Sequence, residues 1–324
     1  SARLGVVNAC GAWAPALAAL AGAPPMPLLA MKHAYIVTER IPGMQRHYPN
    51  VRDHDLSIYL KAQGNALALG GYEPNPEFWH DVDPGFAFGL FDLDWDTFAA
   101  NSEGHFWRCP AVAEAGIAST VCGPESFTPD HKPLVGPQPG VRGLWNACGF
   151  NSAGIMLAGG VGRELALWMD TGSPGLDMFG YDPRRFHPDA ASDSAWVRDS
   201  THEAYAKNYA VVFPHDEPLA GRGARRSPAH AVHAREGAVF QARHAFERVG
   251  WYDREALARA EAAGLPLEPL PYDHYGAYPP GDRWRLRAGA GPEEGSEGHP
   301  AHPYHDALRG ELTFGRPASF PLVA

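Results

Sequence analysis

The 324-residue sequence predicts an α/β (α+β) fold in which short buried strands, followed by glycine turns and helices, frame an inserted mixed or antiparallel sheet. Three observations predict it. Leu144-Trp145-Asn146-Ala147-Cys148 is a short apolar run between Gly143 and Gly149, the pattern of a buried strand. Ala34-Tyr35-Ile36-Val37-Thr38 is β-branched and aromatic. Ser57–Leu60 and Ala66–Gly70 flank a Gly64-Asn65 turn and read as a hairpin.

The elements follow in order. Val6-Val7-Asn8 is a strand closing near Gly11, and Ala14–Ala21 is a run of helix formers. Pro24, Pro25 and Pro27 break it. The strand and hairpin come next, and residues 95–115 are expected to be helical, carrying Trp95, Phe98, Phe106 and Trp107. Thr128-Pro129-Asp130 and Pro133 build a rigid turn. After the 144–148 strand, Gly149, Gly154, Gly159, Gly160 and Gly162 read as a glycine-rich loop, with a helix from Val161 to Met169. Thr171–Gly175 ends this region, and Thr201–Tyr209 is a further helix. Residues 279–303 are rich in Gly, Pro, Glu and His and are expected to be disordered or a long loop.

Composition narrows the function. Hydrophobic content of 45% and charged content of 20% are globular values, and 324 residues suffice for two domains. A net charge of −10 without a basic run argues against nucleic acid as partner. Cys10, Cys109, Cys122 and Cys148 show neither CxxC nor metal spacing, so they read as reduced, small buried residues. No apolar run has the length of a bilayer-spanning helix, so no membrane insertion is expected.

A glycine-rich turn opening a helix presents free N–H groups and a positive dipole end, which suits a phosphate or an electron-rich ring edge. The six-position dinucleotide fingerprint is not met, since Leu165 stands where its third glycine would fall. The strings TPDHKPLVG, CGFNSAG and GGVGRELA together are more specific. They resemble the C-terminal FAD-binding signature of the glycine/D-amino-acid oxidase superfamily. PNVRDHDLSIYLKAQGNALALGGYEPNPEFW (49–79), FAFGLFDLDWDTF (86–98), DMFGYDPRRFH (177–187) and HEAYAKNYAVVFPHDEPLAGR (202–222) resemble, within it, the dimethylglycine/sarcosine dehydrogenase family. The resemblance is strong over residues 5–253 and scattered to about 278.

That resemblance implies residues 1–172 as the C-terminal half of a two-part FAD-binding domain, its first βαβ unit and covalent-FAD histidine expected before residue 1. It implies 173–226 as a small central module and 227–324 as the start of an aminomethyltransferase-like folate domain. The implied activity is oxidative demethylation of sarcosine to glycine, the one-carbon unit going to tetrahydrofolate and electrons to electron-transfer flavoprotein. The implied location is the mitochondrial matrix in a eukaryote and the cytoplasm otherwise. Dimethylglycine is the alternative substrate, disfavoured by the RDHD and GGYEPNPEFW strings. The regulatory subunit of pyruvate dehydrogenase phosphatase is a non-catalytic alternative of the same architecture.

Amine oxidation requires a neutral amine, an anchored carboxylate and a methyl held over the flavin. His33 and Tyr35, two apart on a strand, point to one face and could supply a proton acceptor and an orienting hydrogen bond. A core histidine packed beside a tyrosine is the structural alternative. Arg52 offers the bidentate fork for a carboxylate, or else a structural ion pair with Asp53 or Asp55. Glu73 reads as a surface carboxylate before a pocket acid. For the cofactor, the resemblance implies Gly11 and Trp13 below it and Pro129 and Asp130 turning the chain toward it. Gly149, Phe150, Asn151, Ser152, Gly154, Ile155 and Met156 would line the ring and ribityl chain. Simpler oxidases of the superfamily carry lysine at the place of Met156, which suits a dehydrogenase here. His230-x-x-His233 and the trio His299, His302 and His305 have near-metal spacing, but prolines among the latter make a metal site unexpected.

Overall fold

The computed structural model describes residues 2–210, 218 and 220–262. Contacts divide the chain into two units, Ser1–Val212 and Phe213–Ala324. Residues 279–303, and with them His299, His302 and His305, lie outside the described residues.

The first unit opens with β1 (Val6–Asn8) and, after a 3₁₀ turn at Gly11–Trp13, α1 (Ala14–Leu20). Past the prolines comes β2 (Leu29–Thr38), which starts at Leu29 rather than Ala34. β3 (Val51–Asp53), not among the predicted strands, pairs with β4 (Ile58–Gln63), with Arg52 directly opposite Tyr59. β5 (Ala66–Gly71) completes the hairpin. Pairing of Gln63 with Ala66 leaves Gly64-Asn65 as a two-residue turn, and Gly64 takes φ +67°.

α2 (Trp95–Arg108) starts where the Asp94 carboxylate accepts a hydrogen bond from Thr97 N. It stops short of residue 115 because Pro110 cannot continue it, and a 3₁₀ turn at Pro110–Val112 follows. β6 (Ile117–Phe127) has no counterpart among the predicted strands. Its Gly123-Pro124 pair masks the pattern, yet β6 is an edge strand, where a missing N–H is tolerated. Then come β7 (Leu134–Pro137), β8 (Leu144–Cys148) and α3 (Gly154–Thr171). α3 begins seven residues before Val161, so Gly159, Gly160 and Gly162 lie inside the helix rather than in a loop. The turn before it is short because Asn151 and Ser152 both take left-handed φ, +49° and +65°.

Two sheets result. β3-β4-β5-β2-β6 is antiparallel throughout, and β1-β8-β7 is mixed, with β1 parallel to β8. One face of the larger sheet carries Ile36, Ile58, Leu60 and Leu69 against Phe98 of α2. Gly104 allows that helix to come close, since a Cβ there would sit 3.3 Å from Ile58. His105 reaches through to the sheet, its Nε2 3.0 Å from the Gly70 carbonyl. Val161, Leu165 and Trp168 of α3 pack on the smaller sheet with Val135.

α4 (Pro188–Ser192) and α5 (Ser194–Ala206) follow. α5 starts well before Thr201 because Asp193 caps it through Trp196 N, and it ends before Tyr209. Its C-terminal turn lies on the other face of the larger sheet, where Tyr205 and Tyr209 meet Met31, Tyr72 and Phe127. The second unit holds α6 (His230–Arg235), the hairpin of β9 (Ala238–Arg243) and β10 (Phe246–Tyr252), and α7 (Arg254–Ala262). Its centre is the Glu247 carboxylate, which accepts from Arg222 Nε, Gly223 N and His230 Nε2. His233 instead bonds Tyr252, so the two α6 histidines serve separate contacts.

Candidate active site

Strand register builds the site. Arg52 pairs with Tyr59, Tyr59 with Gly70, and Gly70 with Tyr35, giving one row across β3, β4, β5 and β2. Directly opposed residues share a face, so Arg52, Tyr59 and Tyr35 all project from the side away from α2. Gly70 is required in that row: a Cβ there would fall 2.4 Å from the Tyr59 hydroxyl. Three inter-strand steps of about 4.8 Å separate the Arg52 and Tyr35 backbones by about 14 Å. The Arg52 side chain leans over the Tyr209 ring, 4.2 Å from its centre. Tyr209 meets Tyr72 edge-on at 4.7 Å, and Tyr72 stacks on His33 at 4.7 Å. The row and its neighbour thus converge on one aromatic wall. Arg52 is not paired with Asp53, whose carboxylate turns to the opposite face and binds Arg108.

His33 lies two residues along from Tyr35 on the same face. Its Nδ1 is 2.8 Å from the Tyr205 hydroxyl, which in turn donates to Glu73 Oε2 at 2.5 Å. Glu73 was expected at the surface; it is 4% exposed instead. The chain turns inward at the hairpin end, where Tyr72 N donates to Ser57 O. Burial pushes the Glu73 carboxyl above its ordinary range, opposed by nearby His33 and the Tyr205 hydrogen bond. Burial likewise pushes the Tyr59, Tyr72 and Tyr205 phenols up, so all three are neutral donors.

The Gly149–Ser152 turn meets this wall. Asn151 N donates to Ser126 O of β6 at 3.1 Å. The Asn151 amide oxygen accepts from Thr128 N, and its NH₂ donates to Gly149 O at 2.6 Å. Ser152 donates to Glu125 and lies beside the Tyr72 phenol. Gly149, at φ +68°, cannot be replaced cheaply, because a Cβ would sit 2.8 Å from Thr128 Cγ2. Phe150 packs against the α3 cluster. α3 has no side-chain N-cap, and Gly154, Ile155 and Met156 keep N–H groups without partners among the described residues. Ile155 is 100% and Met156 81% exposed.

The remaining predicted residues divide. Gly11 opens onto free space. Trp13 is held by its indole N–H on Asp83 O and by edge contact with Trp79. Pro129 sits in the Thr128–His131 turn. Asp130 is bound by both Nε and Nη2 of Arg185, at 2.7 and 2.9 Å, and so ties the turn to the 183–185 segment. Sequence reasoning missed Tyr205 and assigned Glu73 no contact. Tyr205 follows a polar stretch, Ser200-Thr201-His202-Glu203, whose burial shows only in the structure.

An uncapped helix terminus beside exposed Ile155 and Met156 offers backbone donors and an apolar surface, the chemistry a flavin needs. The comparisons agree. The model of the family "FAD dependent oxidoreductase" matches residues 1–168, and "FAD dependent oxidoreductase central domain" matches 171–227. Human mitochondrial sarcosine dehydrogenase is 52% identical over 312 residues, 96% of this chain and 31% of that protein. Rat mitochondrial dimethylglycine dehydrogenase is 35% identical over 231 residues, 68% of this chain and 26% of that protein. The mouse mitochondrial pyruvate dehydrogenase phosphatase regulatory subunit is 32% identical over 256 residues, 76% of this chain and 28% of that protein. The chain therefore spans 26–31% of the length of these curated relatives. With its glycine turn, uncapped helix and family match over more than half its residues, the chain belongs to the FAD dependent oxidoreductase family.

Proposed function

We propose that this chain supplies the substrate sheet and part of the flavin site of an FAD-dependent amine dehydrogenase that oxidises sarcosine to glycine. The observation carrying this reading is the convergence of Arg52, Tyr59, Tyr35 and His33 on one sheet face, next to the Gly149–Ser152 turn. The 52% identity to a sarcosine dehydrogenase, against 35% to a dimethylglycine dehydrogenase, supports the monomethyl substrate.

FAD, when bound, supplies the two-electron acceptor for the N-methyl carbon. The residues that would hold it are Gly149–Ser152 and the N–H groups of Gly154, Ile155 and Met156, with Gly11 leaving room for close approach. Arg52 binds the substrate carboxylate through its fork, its charge steadied over the Tyr209 ring. His33 takes the ammonium proton at Nε2, which has no partner among the described residues. Tyr35 and Tyr59 line the space between the two. Burial of the tyrosine wall keeps the amine in its neutral, reactive form once deprotonated.

Transfer of the one-carbon unit to tetrahydrofolate, of electrons to electron-transfer flavoprotein, and residence in the mitochondrial matrix complete the proposal for a protein of the relatives' length. Within it, residues 1–172, 173–226 and 227–324 would serve as flavin, central and folate sections. The test is anaerobic addition of sarcosine to the FAD-loaded protein of that length. Bleaching of the flavin absorbance by sarcosine, faster than by dimethylglycine, is expected. A flavin that stays oxidised with both amines refutes the reading.

A further inference from the structure

Glu73 has no part in binding a carboxylate or an amine, yet it is one of the most deeply buried acids of the sheet. Among the described residues its side chain has one side-chain partner, the Tyr205 hydroxyl, and that tyrosine is fully enclosed. We propose that Tyr205 and Glu73 form a proton relay behind His33: Tyr205, 2.8 Å from Nδ1 and 2.5 Å from Oε2, holds the imidazole with Nε2 open and passes on to Glu73 the proton taken there. The proposal deepens the amine-oxidation reading and rests on it for the source of the proton.

Hydrogen-bond direction carries the argument. Wherever Glu73 is ionised its carboxylate only accepts, so Tyr205 donates to it. The Tyr205 oxygen then accepts, which requires a proton on Nδ1 and leaves Nε2 as a bare lone pair. When Nε2 takes a proton from a substrate ammonium, the substrate N–H bond breaks and an Nε2–H bond forms. The Nδ1 proton moves to the Tyr205 oxygen, and the Tyr205 proton moves to Glu73 Oε2. Histidine and tyrosine both end neutral, and Glu73 ends as a carboxylic acid. The alternative end state, an imidazolium facing a carboxylate across Tyr205, would keep two charges in a poorly solvated site, which is the costlier arrangement. Desolvation of Glu73 favours its acid form in the same sense. The other titratable groups turned toward this chain are Tyr35 on β2, Tyr72 after β5, Glu125 on β6 and Tyr209 after α5, while the Lys32 ammonium pairs with Glu77 and its backbone carbonyl lies 3.5 Å from the Tyr205 hydroxyl. The tyrosines there are neutral, and Glu125 accepts from Ser152.

The experiment uses the 324-residue chain with isotope-labelled histidine, with His33 assigned by loss of its signals in His33→Gln. Imidazole nitrogen NMR and infrared spectroscopy are followed through a pH titration. At high pH the expected form is Nδ1–H with bare Nε2. Uptake of one proton should move the N–H to Nε2, leave Nδ1 bare, and raise a carboxylic-acid band that Glu73→Gln abolishes. In Glu73→Gln the same titration should instead give an imidazolium with both N–H signals. Tyr205→Phe should lose the Nδ1–H preference; if that variant does not fold, the parent and Glu73→Gln spectra decide alone. An Nε2–H tautomer at high pH, or an imidazolium without a carboxylic-acid band in the parent chain, overturns the relay. A relay signature in a protein that does not oxidise sarcosine supports the relay and removes only the amine reading.

Discussion

Arg185→Met tests whether the Thr128–Pro133 turn is held by one buried cation. The Arg185 side chain is fully buried and gives its protons to Asp130 twice and to the carbonyls of Pro133, Asp182 and Lys132. Methionine fills similar volume but donates nothing. It leaves the Asp130 carboxylate, whose side chain is 19% exposed, without its guanidinium partner, and three carbonyls lose a donor. Removing one partner of a buried pair costs about 3–5 kcal/mol. For a unit of 212 residues, each kcal/mol moves the melting point about 2–4 °C, so a fall of about 6–20 °C is expected. The assay is thermal melting with a urea series. Adding Asp130→Asn to Arg185→Met should recover part of the loss, because the carboxylate that lost its guanidinium is then removed. If Arg185→Met stays within about 1 kcal/mol of the parent, the pair is no stronger than a surface bridge and the reasoning fails.

Other outcomes follow from the same geometry. In the FAD-loaded protein, His33→Ala should lower turnover with sarcosine about 10²–10⁴-fold at neutral pH, with partial recovery as pH rises; a flat pH profile counts against a base at this position. Arg52→Lys should raise KM for sarcosine more than it lowers kcat, and spare an amine lacking a carboxylate; equal losses with both amines place the anchor elsewhere. Burial opposes the Asp53 charge, but the N–H groups of Leu56 and Asp55 and the Arg108 guanidinium outweigh it and hold the carboxyl below its ordinary range. Its stabilisation is therefore present above the unfolded pKa and fades as pH falls through the lowered folded value, so Asp53→Asn should flatten the acid limb of the stability curve; unchanged slopes refute this. Gly149→Ala combines a left-handed φ with the 2.8 Å approach to Thr128, so a loss above about 1 kcal/mol is expected by denaturant titration, and a neutral result means the turn relaxes.

Much of the fold was legible because its signals are local. The 144–148 strand sits between glycines, the hairpin turn carries its own Gly-Asn, and His33 and Tyr35 share a face by strand periodicity alone. The misses came where tertiary context decides. β6 hides behind Gly123-Pro124 because only its place at the sheet edge excuses the proline. α3 reaches back to Gly154 because Asn151, held by Thr128, ends the turn early. Sequence proximity alone allows Arg52 to pair with Asp53, but adjacent strand residues point to opposite faces, and Asp53 binds Arg108. Glu73 and Tyr205 are 132 residues apart, and no pattern in either segment announces their hydrogen bond.

The outer edge of β6 has a mechanical meaning. Its Ser126 carbonyl is taken by the Asn151 N–H, and its Cys122 carbonyl by Phe91 N. The glycine turn is thus riveted to a strand that is itself zipped along ten residue pairs to β2, the strand that bears His33 and Tyr35. Floor and turn are thus joined through the β6 backbone. Side chains along β6 repeat every two residues, so a slip by one position would carry its residues to the wrong face and drag the turn with it. The spacing between the β2 face that bears His33 and Tyr35 and the Gly149–Ser152 backbone is therefore set by strand register.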